Sequence, residues 1–592
     1  MRGSFDFETW EWVNPLCCGF AWGEKTFFIH DRSQKFPKSV AKQALKFMHS
    51  RPEVKQWWAH NGGKFDALFL LEAALDMGWQ VTGHVAGGRL INSQFSPPGS
   101  DRATIVHDSY AVVQSSLKRA AKDFNLKNEK VFTEDDYSID TRRWDPIRLR
   151  EGCLADCEAT LELLDTVEKL LQEWGGSLKI TFSSSALSCV KSKLDGKIPS
   201  HKGKEELQDV ARKGYYGARV EILHHMPSKN LTEFDICSSY PWAMHQRLPW
   251  VPNQGCQHKP SALLEVPSHE EGVVYAKVKV PETYLPALPW RDPQTNGIYF
   301  PTGTWEAWFP ACELRYAKSL GVGVWAKDCI CYSGAEPFGR FVDEVYRLKS
   351  EATGALRSFA KLVLNGCYGK FGQAPEREEL RVFADDAAAI AFINDQPSGT
   401  VGQPYANRRV LTVSKFKWPP HTHYALAGYV TAYARMRLHQ ALLLADIPVY
   451  CDSDSVHCVE SGRLAQSGML GEKLGQFKVE FTNYKGTFYA PKIYRLKGMD
   501  GKVHLAAKGF PVEEDVFRRI VEGESVSVDR MVLTKSQLRK GGTVQRLPQP
   551  RSWAGYSSKR FSNPDGSTRP WNVKELIAKK HLKQRSPAHG KM

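Results

Sequence analysis

Hydrophobic and polar positions follow two different periods along this chain. The segment Phe5–Thr9 alternates aromatic and acidic residues, which is typical of a strand that carries its acids on one face. Between Asp156 and Leu171, leucines and a valine recur every three or four residues, which predicts a helix that opens at Asp156. Together the two patterns predict a mixed α/β and α+β chain.

The chain is too long for one hydrophobic core, since 592 residues exceed the usual size of a domain. The stretch from Pro249 to Pro337 is rich in Pro, Gly and Trp, with short β-type runs between them. The stretch from Ala374 to His421 is mostly irregular, and the chain from Val526 onward is basic with Gly, Pro and Ser breaks. We therefore expect several domains.

The charge balance indicates a polyanionic partner. Lys and Arg number 80 against 65 Asp and Glu, a net charge of +15, and neutralising phosphates with release of counterions favours binding to nucleic acid. The longest apolar runs are too short to span a bilayer, so we expect no membrane segment and a cytoplasmic location. The cysteines lack the CxxC spacing of zinc ribbons.

A first group of acids lies in the first third of the chain. Asp6 and Glu8 stand two residues apart, so on a strand both carboxylates face the same way. Asp66 follows in the segment His60–Asp66, and Asp156 comes later. Singly, each of these acids is more often a surface acid or a helix cap. Convergent carboxylates repel one another unless cations lie between them, and paired Mg²⁺ ions use such sites to cleave phosphodiesters.

A second group of acids lies in the centre and the last third of the chain. Asp235 ends a strand-like run in the segment Phe234–Pro241, and Asp452 and Asp454 stand two residues apart, on one face of an expected hairpin. Between them we predict a single helix with Lys349, Arg357 and Lys361 on one side. Cations on one face form a cradle for a triphosphate.

In this order, the motifs resemble those of family B DNA polymerases. The acids of the first group match the three exonuclease motifs, and Asp235-Ile236-Cys237-Ser238-Ser239-Tyr240-Pro241 resembles DxxSLYP. The segment from Lys361 to Gly369 resembles Kx₃NSxYG, and Tyr450–Ser455 resembles YxDTDS. Two further segments, Tyr215–Arg219 and Lys492–Tyr494, resemble the YxGG and KxY motifs. The resemblance implies a ribonuclease-H-like 3′→5′ exonuclease domain and a right-hand polymerase domain with palm, fingers and thumb.

The resemblance also implies a role for each matching residue. Expected catalytic residues are Asp235, Asp452, Asp454, Asp6, Glu8, Asp66, Asp156 and Lys130, of which all but Asp452 and Lys130 should bind Mg²⁺, with Mn²⁺ as an alternative and two ions per active site. Expected nucleotide-binding residues are Tyr240, Lys349, Arg357, Lys361, Asn365, Tyr368 and Gly369. Expected DNA-binding residues are Tyr215, Gly217, Arg219, Asn61, Phe65, Lys492 and Tyr494.

The spacing of the motifs resembles one branch of this family. Asp235 and Lys361 are 126 residues apart, and Lys361 and Asp452 are 91 apart, gaps that match the two insertions of protein-primed polymerases of the phi29 type. The implied division is exonuclease 1–185, palm 186–247, first terminal-protein-region insertion 248–338, fingers 339–373, second insertion 374–425, palm 426–525, and thumb with basic tail 526–592. The resemblance further implies a monomer that takes dNTPs, primer-template and single-stranded DNA, with a terminal protein as primer and intrinsic strand displacement.

One departure and two alternatives accompany this interpretation. The family has Tyr four residues before the third exonuclease Asp, whereas this chain has Gly152. We therefore hypothesise that the water-orienting tyrosine is absent or that another residue, such as Tyr137, supplies its hydroxyl. One alternative is a family B polymerase that uses a nucleic-acid primer or no primer. The other is a DNA-binding 3′→5′ exonuclease with an inactive palm.

Overall fold

The computed structural model describes most of the chain. The described residues are 1–31, 37–129, 131–132, 140–194, 197–225, 227–253, 259–265, 270–402, 409–459, 462–508, 513–532, 545–551 and 559–578. None of the helices in these ranges is long and apolar enough to cross a membrane.

The first third of the chain alternates strands and helices. Its elements are β1 Arg2–Trp10, β2 Asn14–Trp22, β3 Lys25–His30, α1 Pro37–His49, β4 Gln56–Ala59, α2 Asp66–Met77, β5 Gln80–Ala86, β6 Arg89–Ser96, β7 Thr104–Asp108, α3 Leu117–Phe124, α4 Pro146–Glu173, α5 Phe182–Lys193 and α6 Glu205–Lys213.

The middle third continues with short strands before two cation-bearing helices. Its elements are β8 Val220–Ile222, β9 Ser228–Ile236, α7 Ser239–Met244, β10 Leu248–Pro252, β11 Glu270–Val280, β12 Trp290–Arg291, β13 Ile298–Tyr299, β14 Gly303–Pro310, α8 Ala311–Ser319, β15 Gly323–Ala335, α9 Gly339–Glu351 and α10 Gly354–Gly366.

The last third is richer in strands. Its elements are β16 Glu376–Val382, α11 Asp386–Asn394, β17 Val410–Phe416, α12 Tyr424–Leu444, β18 Pro448–Asp452, β19 Ser455–Cys458, α13 Gly462–Gln466, β20 Phe477–Ala490, β21 Ile493–Lys497, β22 Val503–Ala507, α14 Glu514–Val521, β23 Val526–Val532, β24 Gln545–Arg551, β25 Phe561–Ser562 and β26 Thr568–Arg569.

Two large sheets carry the two groups of acids. A nine-stranded sheet runs β17-β16-β5-β6-β7-β4-β1-β2-β3, and β1 lies inside it, parallel to β4 and antiparallel to β2. A seven-stranded sheet runs β22-β21-β20-β9-β19-β18-β8. Because β9 and β19 are neighbours, Asp235 lies beside the β18–β19 hairpin that carries the other two acids.

The prediction that the stretch between Ala374 and His421 is mostly irregular is wrong in part. This stretch contains the antiparallel hairpin β16–β17, and β16 pairs with β5, so the hairpin extends the nine-stranded sheet. The pairing supplies backbone partners to both strands, which weak local periodicity in the sequence does not reveal. The stretch from Pro249 to Pro337 builds a separate four-stranded sheet, β10-β15-β11-β14.

Two helix predictions also need correction. Asp156 does not open its helix: α4 begins at Pro146, and the side chain of Asp145 caps it by accepting from the N–H groups of Ile147 and Arg148. The single cation-bearing helix is two helices. Thr353 is extended and Gly354 has φ +55°, which separates α9 from α10.

The main hydrophobic core joins the two halves of the molecule. It collects buried side chains from α3, α4 and α5 together with those of α7, α8, α9, α10 and α12. A second core packs α1 and α2 against the nine-stranded sheet. The strands that carry Asp6, Glu8, Asp235 and Asp452 are therefore backed by packed helices.

Candidate active sites

Three acids of the first group converge above β1. Asp6 and Glu8 lie on β1 and Asp156 lies within α4, and the ligand oxygens of the three side chains lie within 4.8 Å of one another. Glu8 and Asp156 are buried, and Asp6 is half-buried. This all-oxygen donor set is of the kind that Mg²⁺ prefers, and crowded carboxylates are stabilised by a cation between them. The residues therefore fit a divalent ion.

Asp66 lies beside this group. It is the first residue of α2, it is buried, and its Oδ1 accepts from the backbone N–H of Phe7 at 3.0 Å. Burial raises the pKa of the Cys157 thiol, and Asp6, Asp156 and Asp66 raise it further. One buried thiol thus lies in the field of three of the four predicted acids.

Asn61 and Phe65 lie at the edge of the same site. Asn61 has φ +64°, and its Oδ1 accepts from Nη2 of Arg89 at 2.9 Å. Arg89 also forms an ion pair with buried Asp108. Phe65 packs edge-on against Trp12. Sequence reasoning missed Arg89 and Asp108, because no motif marks them and only the packing of β6 beside β7 brings them to Asn61.

An aromatic ring occupies the space beside Gly152 on α4. A Cβ placed on Gly152 would lie 2.2 Å from Cζ of Phe132, and Phe132 in turn packs against Trp144 with ring centroids 4.5 Å apart. The phenyl ring therefore takes the space beside α4 that a side chain at Gly152 would need. Lys130 and Tyr137 lie outside the described residues.

The second group of acids surrounds the β18–β19 hairpin. Asp235 is the penultimate residue of β9 and Asp452 ends β18, but Asp454 lies in the turn rather than on a strand face. Ser453 has φ +61°, and the carbonyl of Asp454 accepts from the N–H of Ile236 at 2.8 Å. Burial and the nearby Asp454 raise the pKa of Asp235 to about 7. This oxygen-rich, mutually repelling pair also fits a divalent cation.

Lys492 is tied to the hairpin. The Tyr450 hydroxyl donates to Oδ2 of Asp452 at 3.1 Å and accepts from the Lys492 N–H at 3.0 Å. Nζ of Lys492 lies 3.2 Å from Oδ1 of Asp452. The ring of Tyr494 packs 5.6 Å from that of Tyr450. The Lys492–Tyr494 segment and the acidic hairpin are therefore one bonded unit.

Three tyrosines lie close together around α7, the helix that follows the strand of Asp235. Tyr240 on α7 stacks on Tyr368, with ring centroids 4.2 Å apart and planes at 25°. Burial raises the pKa of Tyr215, and neighbouring Tyr240 raises it further, which places the third hydroxyl near the pair. Such a stacked pair offers a flat apolar surface with hydroxyls at its rim.

The predicted cations face the same region from two helices. Arg357, Lys361 and Asn365 are exposed at four-residue intervals on α10, and Gly369 is exposed just beyond it. Lys349 comes from α9 and donates from Nζ to Oγ of Ser238 at 2.8 Å. Burial lowers the pKa of Lys349, and nearby cations that include Lys361 and Arg357 lower it further. The break between the helices therefore still leaves the three cations close together.

Arg219 does not lie where a DNA contact requires. Its side chain is 1% exposed, donates to Oε2 of Glu221 at 2.9 and 2.6 Å, and donates to the carbonyl of Pro286 at 2.8 Å. Its carbonyl accepts from the N–H of Ser453 at 2.9 Å. The predicted DNA contact of the Arg219 side chain is thus wrong for this conformation, because every guanidinium nitrogen is used internally to support the strand under the hairpin. The carbonyl of neighbouring Gly217 accepts from Arg435 at 3.0 Å.

Known proteins share both the sequence pattern and this architecture. Residues 142–400 match the family model described as DNA polymerase type B, organellar and viral. The chain is 25% identical over 528 residues to the DNA-directed DNA polymerase of Enterobacteria phage PRD1, covering 86% of this chain and 85% of that protein. It is 23% identical over 537 residues to a probable DNA polymerase of Ascobolus immersus, covering 81% of this chain but only 44% of that longer protein.

Solved structures give the same result for the fold. Phi29 DNA polymerase in complex with primer-template DNA and incoming nucleotide has a TM-score of 0.70 at 18% identity, covering 93% of this chain and 100% of that one. Another crystal form of phi29 DNA polymerase has a TM-score of 0.69 at 17% identity, with the same coverage. The chain has the multidomain α/β fold of phi29 DNA polymerase, and its residues 142–400 are similar to the organellar and viral type B DNA polymerases.

Proposed function

We propose that this chain is a DNA-directed DNA polymerase with a separate 3′→5′ exonuclease site. The observation that carries the proposal is the presence of two separate groups of acids, one at each of the two large sheets. The second group lies beside a stacked tyrosine pair and a set of cations. The oxygen-rich site of the first group suits hydrolysis of a strand end. An oxygen-rich site with cations suits transfer from a triphosphate.

In the polymerase site the residues have separate tasks. Asp235 and Asp454 would hold two Mg²⁺ or Mn²⁺ ions, which when bound supply charge stabilisation for in-line transfer of a nucleotide. Lys349, Arg357 and Lys361 bind and neutralise the triphosphate of a dNTP. Asp452, held by Tyr450 and Lys492, keeps the hairpin in place. Most of the catalytic effect comes from positioning and charge, as is usual for phosphoryl transfer.

Sugar and strand recognition falls to residues around this centre. The stacked rings of Tyr240 and Tyr368 form the floor under the sugar of the incoming nucleotide. Asn365 and Gly369 lie on the exposed side of α10 and just beyond it, where they contact the new base pair. Lys492 and Tyr494 bind the primer strand, and Tyr215 and Gly217 lie between the two sites along the path of DNA.

In the exonuclease site Asp6, Glu8, Asp66 and Asp156 would hold a second pair of divalent ions, which when bound activate water and stabilise the leaving oxygen. Asn61, fixed by Arg89, and Phe65 hold the terminal nucleotides of a single strand. We infer that Lys130 assists this site, as the family resemblance implies.

Terminal-protein priming and strand displacement belong to the same proposal. The support is the fold shared with phi29 DNA polymerase, the similarity to the phage PRD1 polymerase and the strands formed within residues 248–338 and 374–425. We assign residues 248–338 and 374–425 to these insertions, 1–185 to the exonuclease domain, and the remaining parts to palm, fingers and thumb as the sequence predicts. Net charge of +15 favours the nucleic-acid partner.

The first experiment is extension of one primer on a circular single-stranded template with Mg²⁺ and dNTPs and no accessory protein. We expect products much longer than the circle from the wild type and none from Asp454→Ala. Asp500→Asn is the matched control, since Asp500 lies 55% exposed in the turn between β21 and β22. Primer degradation without extension would instead favour an exonuclease with an inactive palm, and extension that stops after one circle would remove strand displacement from the proposal.

A second experiment addresses the sugar. Replacing Tyr240 with valine removes the ring that stacks on Tyr368, and we expect ribonucleotide incorporation relative to dNTP incorporation to rise by roughly a hundredfold or more, because a clash with the 2′-hydroxyl is relieved. Steady-state incorporation of single nucleotides by Tyr240→Val and Tyr240→Phe measures it. Unchanged selectivity in Tyr240→Val would remove the steric role of this residue.

A further inference from the structure

A lysine that no polymerase motif includes lies against the acid of β9. Lys478 on β20 is the register partner of Asp235 across the antiparallel β9–β20 pair. Its Nζ lies 3.9 Å from Oδ2 of Asp235. The same ammonium forms an ion pair with Glu480, two residues further along β20. The Lys478 ammonium is therefore shared between Asp235, a proposed metal ligand, and the more exposed Glu480.

The surroundings of Asp235 explain why a cation is held there. The Asp235 side chain is only 28% exposed, and Asp454 adds a second carboxylate to the same pocket. Two carboxylates in a partly desolvated pocket repel each other unless a positive charge is present. Lys349, the other ammonium on this side, is already bonded to Ser238. Lys478 is thus the described cation that forms an ion pair with the carboxylate of Asp235.

Glu480 gives the Lys478 ammonium a second ion-pair partner. Because Lys478 contacts both carboxylates, it can leave Asp235 and keep a counter-charge on Glu480. The lysine side chain is 40% exposed and its four-carbon stem is flexible, so the movement needs no change in the sheet.

We propose that Lys478 is a displaceable counter-cation of the polymerase site, which neutralises Asp235 while no divalent ion is bound and withdraws to Glu480 when one binds. The inference rests on the proposed polymerase function, since it takes Asp235 as a metal ligand. Its consequence is competition: the ammonium and the divalent ion oppose each other at Asp235, so Lys478 raises the metal concentration that the site requires. Lys478 is in this sense a positioning and tuning residue rather than a catalytic one.

The test measures metal binding without DNA, nucleotide or turnover. The full chain carries Asp6→Ala and Glu8→Ala, which silence the other acid group, and binding of Mn²⁺ is followed by the loss of the free-ion signal in electron paramagnetic resonance. We expect Lys478→Met to lower the Mn²⁺ Kd on the order of threefold to tenfold, as removal of a partly exposed competing ion pair implies. Lys478→Arg should stay near the wild-type Kd, and Asp235→Asn should lose the site.

Controls separate this effect from a structural role. Lys485→Met is the matched control, because Lys485 is exposed on the same strand and pairs in register with Lys497, and its Mn²⁺ Kd should not change. If Lys478 only stabilised the sheet, Lys478→Met would lower the Tm without tightening Mn²⁺ binding. An unchanged or weaker Mn²⁺ affinity in Lys478→Met would overturn the inference.

A parallel primer-extension assay in the unmodified background keeps the two proposals apart. There Lys478→Met should reach half-maximal extension at a lower Mg²⁺ concentration than the wild type. A wild type that binds Mn²⁺ through Asp235 but never extends a primer would overturn the proposed function. An active wild type with no change in metal binding in Lys478→Met would overturn only the role of Lys478.

Discussion

At the scale of single residues, the first group of acids departs at one position from the exonuclease motifs that it resembles. There an aromatic ring occupies the space of a missing side chain. Gly152 stands one turn before Asp156 on α4, and Phe132 fills the space in front of it. A helical glycine normally costs stability, so its presence here needs a packing reason. The close approach of the phenyl ring supplies that reason.

We predict that Gly152→Ala lowers stability. Alanine should favour the helix by up to about 1 kcal/mol, but its Cβ would lie 2.2 Å from a ring atom of buried Phe132, and overpacking of this kind costs about 1–3 kcal/mol. We expect a net loss of about 1 kcal/mol in denaturant unfolding. Combining Gly152→Ala with Phe132→Leu should recover part of the loss beyond the effect of Phe132→Leu alone. A stabilised Gly152→Ala would contradict the packing argument.

Acid sensitivity is set partly by buried histidines such as His107. Burial lowers its pKa to about 4. Its ring packs against that of Trp58, with centroids 4.6 Å apart and planes tilted at 44°. Neither of its ring nitrogens has a hydrogen-bond partner among the described residues. Since the folded-state pKa lies below the ordinary value near 6.5, the unfolded chain takes up the proton first. Stability from this group is complete above that value and is lost as the pH falls towards 4.

We therefore predict that His107→Phe makes the protein less sensitive to acid. The difference in pKa corresponds to at most about 3 kcal/mol between the two ends of the window. The Tm of wild type and variant, measured from pH 7 to pH 4.5, should converge or cross in favour of the variant at low pH. His84→Phe is the control, because His84 is exposed on β5. Parallel Tm curves for wild type and His107→Phe would show that His107 does not contribute.

At the scale of elements, a buried ion pair connects α8, in the region of the four-stranded sheet, to α12. Arg435 on α12 donates to both carboxylate oxygens of Glu313 on α8 at 2.8 and 2.7 Å. The same guanidinium donates to the carbonyls of Tyr216 and Gly217 at 2.7 and 3.0 Å. Arg435 is 2% and Glu313 1% exposed. The pair therefore orients α8, α12 and the segment before β8 together.

We predict that Glu313→Gln costs about 3–5 kcal/mol of stability, because it leaves a buried guanidinium without its counter-charge. The double variant Glu313→Leu/Arg435→Met should be less destabilised than Glu313→Gln, although the two carbonyls lose their donor. Asp515→Asn removes an exposed ion pair with Arg518 on α14 and should change stability far less than Glu313→Gln does. Equal effects of the buried and exposed substitutions in chemical denaturation would contradict this ranking.

At the scale of the whole molecule, the hairpin β16–β17, which lies in the proposed second insertion, is joined to the nine-stranded sheet by strand pairing. β16 pairs with β5 over five residue pairs, so the hairpin covers what would otherwise be the edge of the sheet of β1. The two ends of the insertion nevertheless meet, since the N–H of His423 donates to the carbonyl of Phe371 at 2.8 Å. The insertion can be removed without separating the chain on either side.

We predict that replacing residues 375–418 with a short Gly/Ser linker preserves primer extension on a single-stranded template but reduces strand displacement. The acids and cations remain in place, whereas the hairpin beside β5 is lost. Extension on an open template and through a downstream duplex measures the two activities separately. The uncovered edge of β5 should also increase aggregation, which light scattering detects. Full displacement in the excised variant would rule out a role for the hairpin.

The sequence by itself determined which residues are the candidates for the chemistry. The strand period around Asp6 and Glu8, and the short motifs at Asp235 and Asp452, are local patterns, and local patterns survive without knowledge of the fold. The same information was enough to predict the mixed α/β architecture and the resemblance to family B DNA polymerases. It was not enough for local boundaries that depend on caps: Asp145 and Pro146 start α4 ten residues before the expected point.

Only the tertiary structure decided how distant segments meet. Strand register sets residue pairs such as Lys478 with Asp235 and Arg89 with Asn61. Side-chain packing sets the close approach of Phe132 to Gly152. Burial likewise turned Arg219 from an expected DNA contact into an internal support. These contacts join residues far apart in the chain, and their energies depend on burial and geometry that no local period encodes.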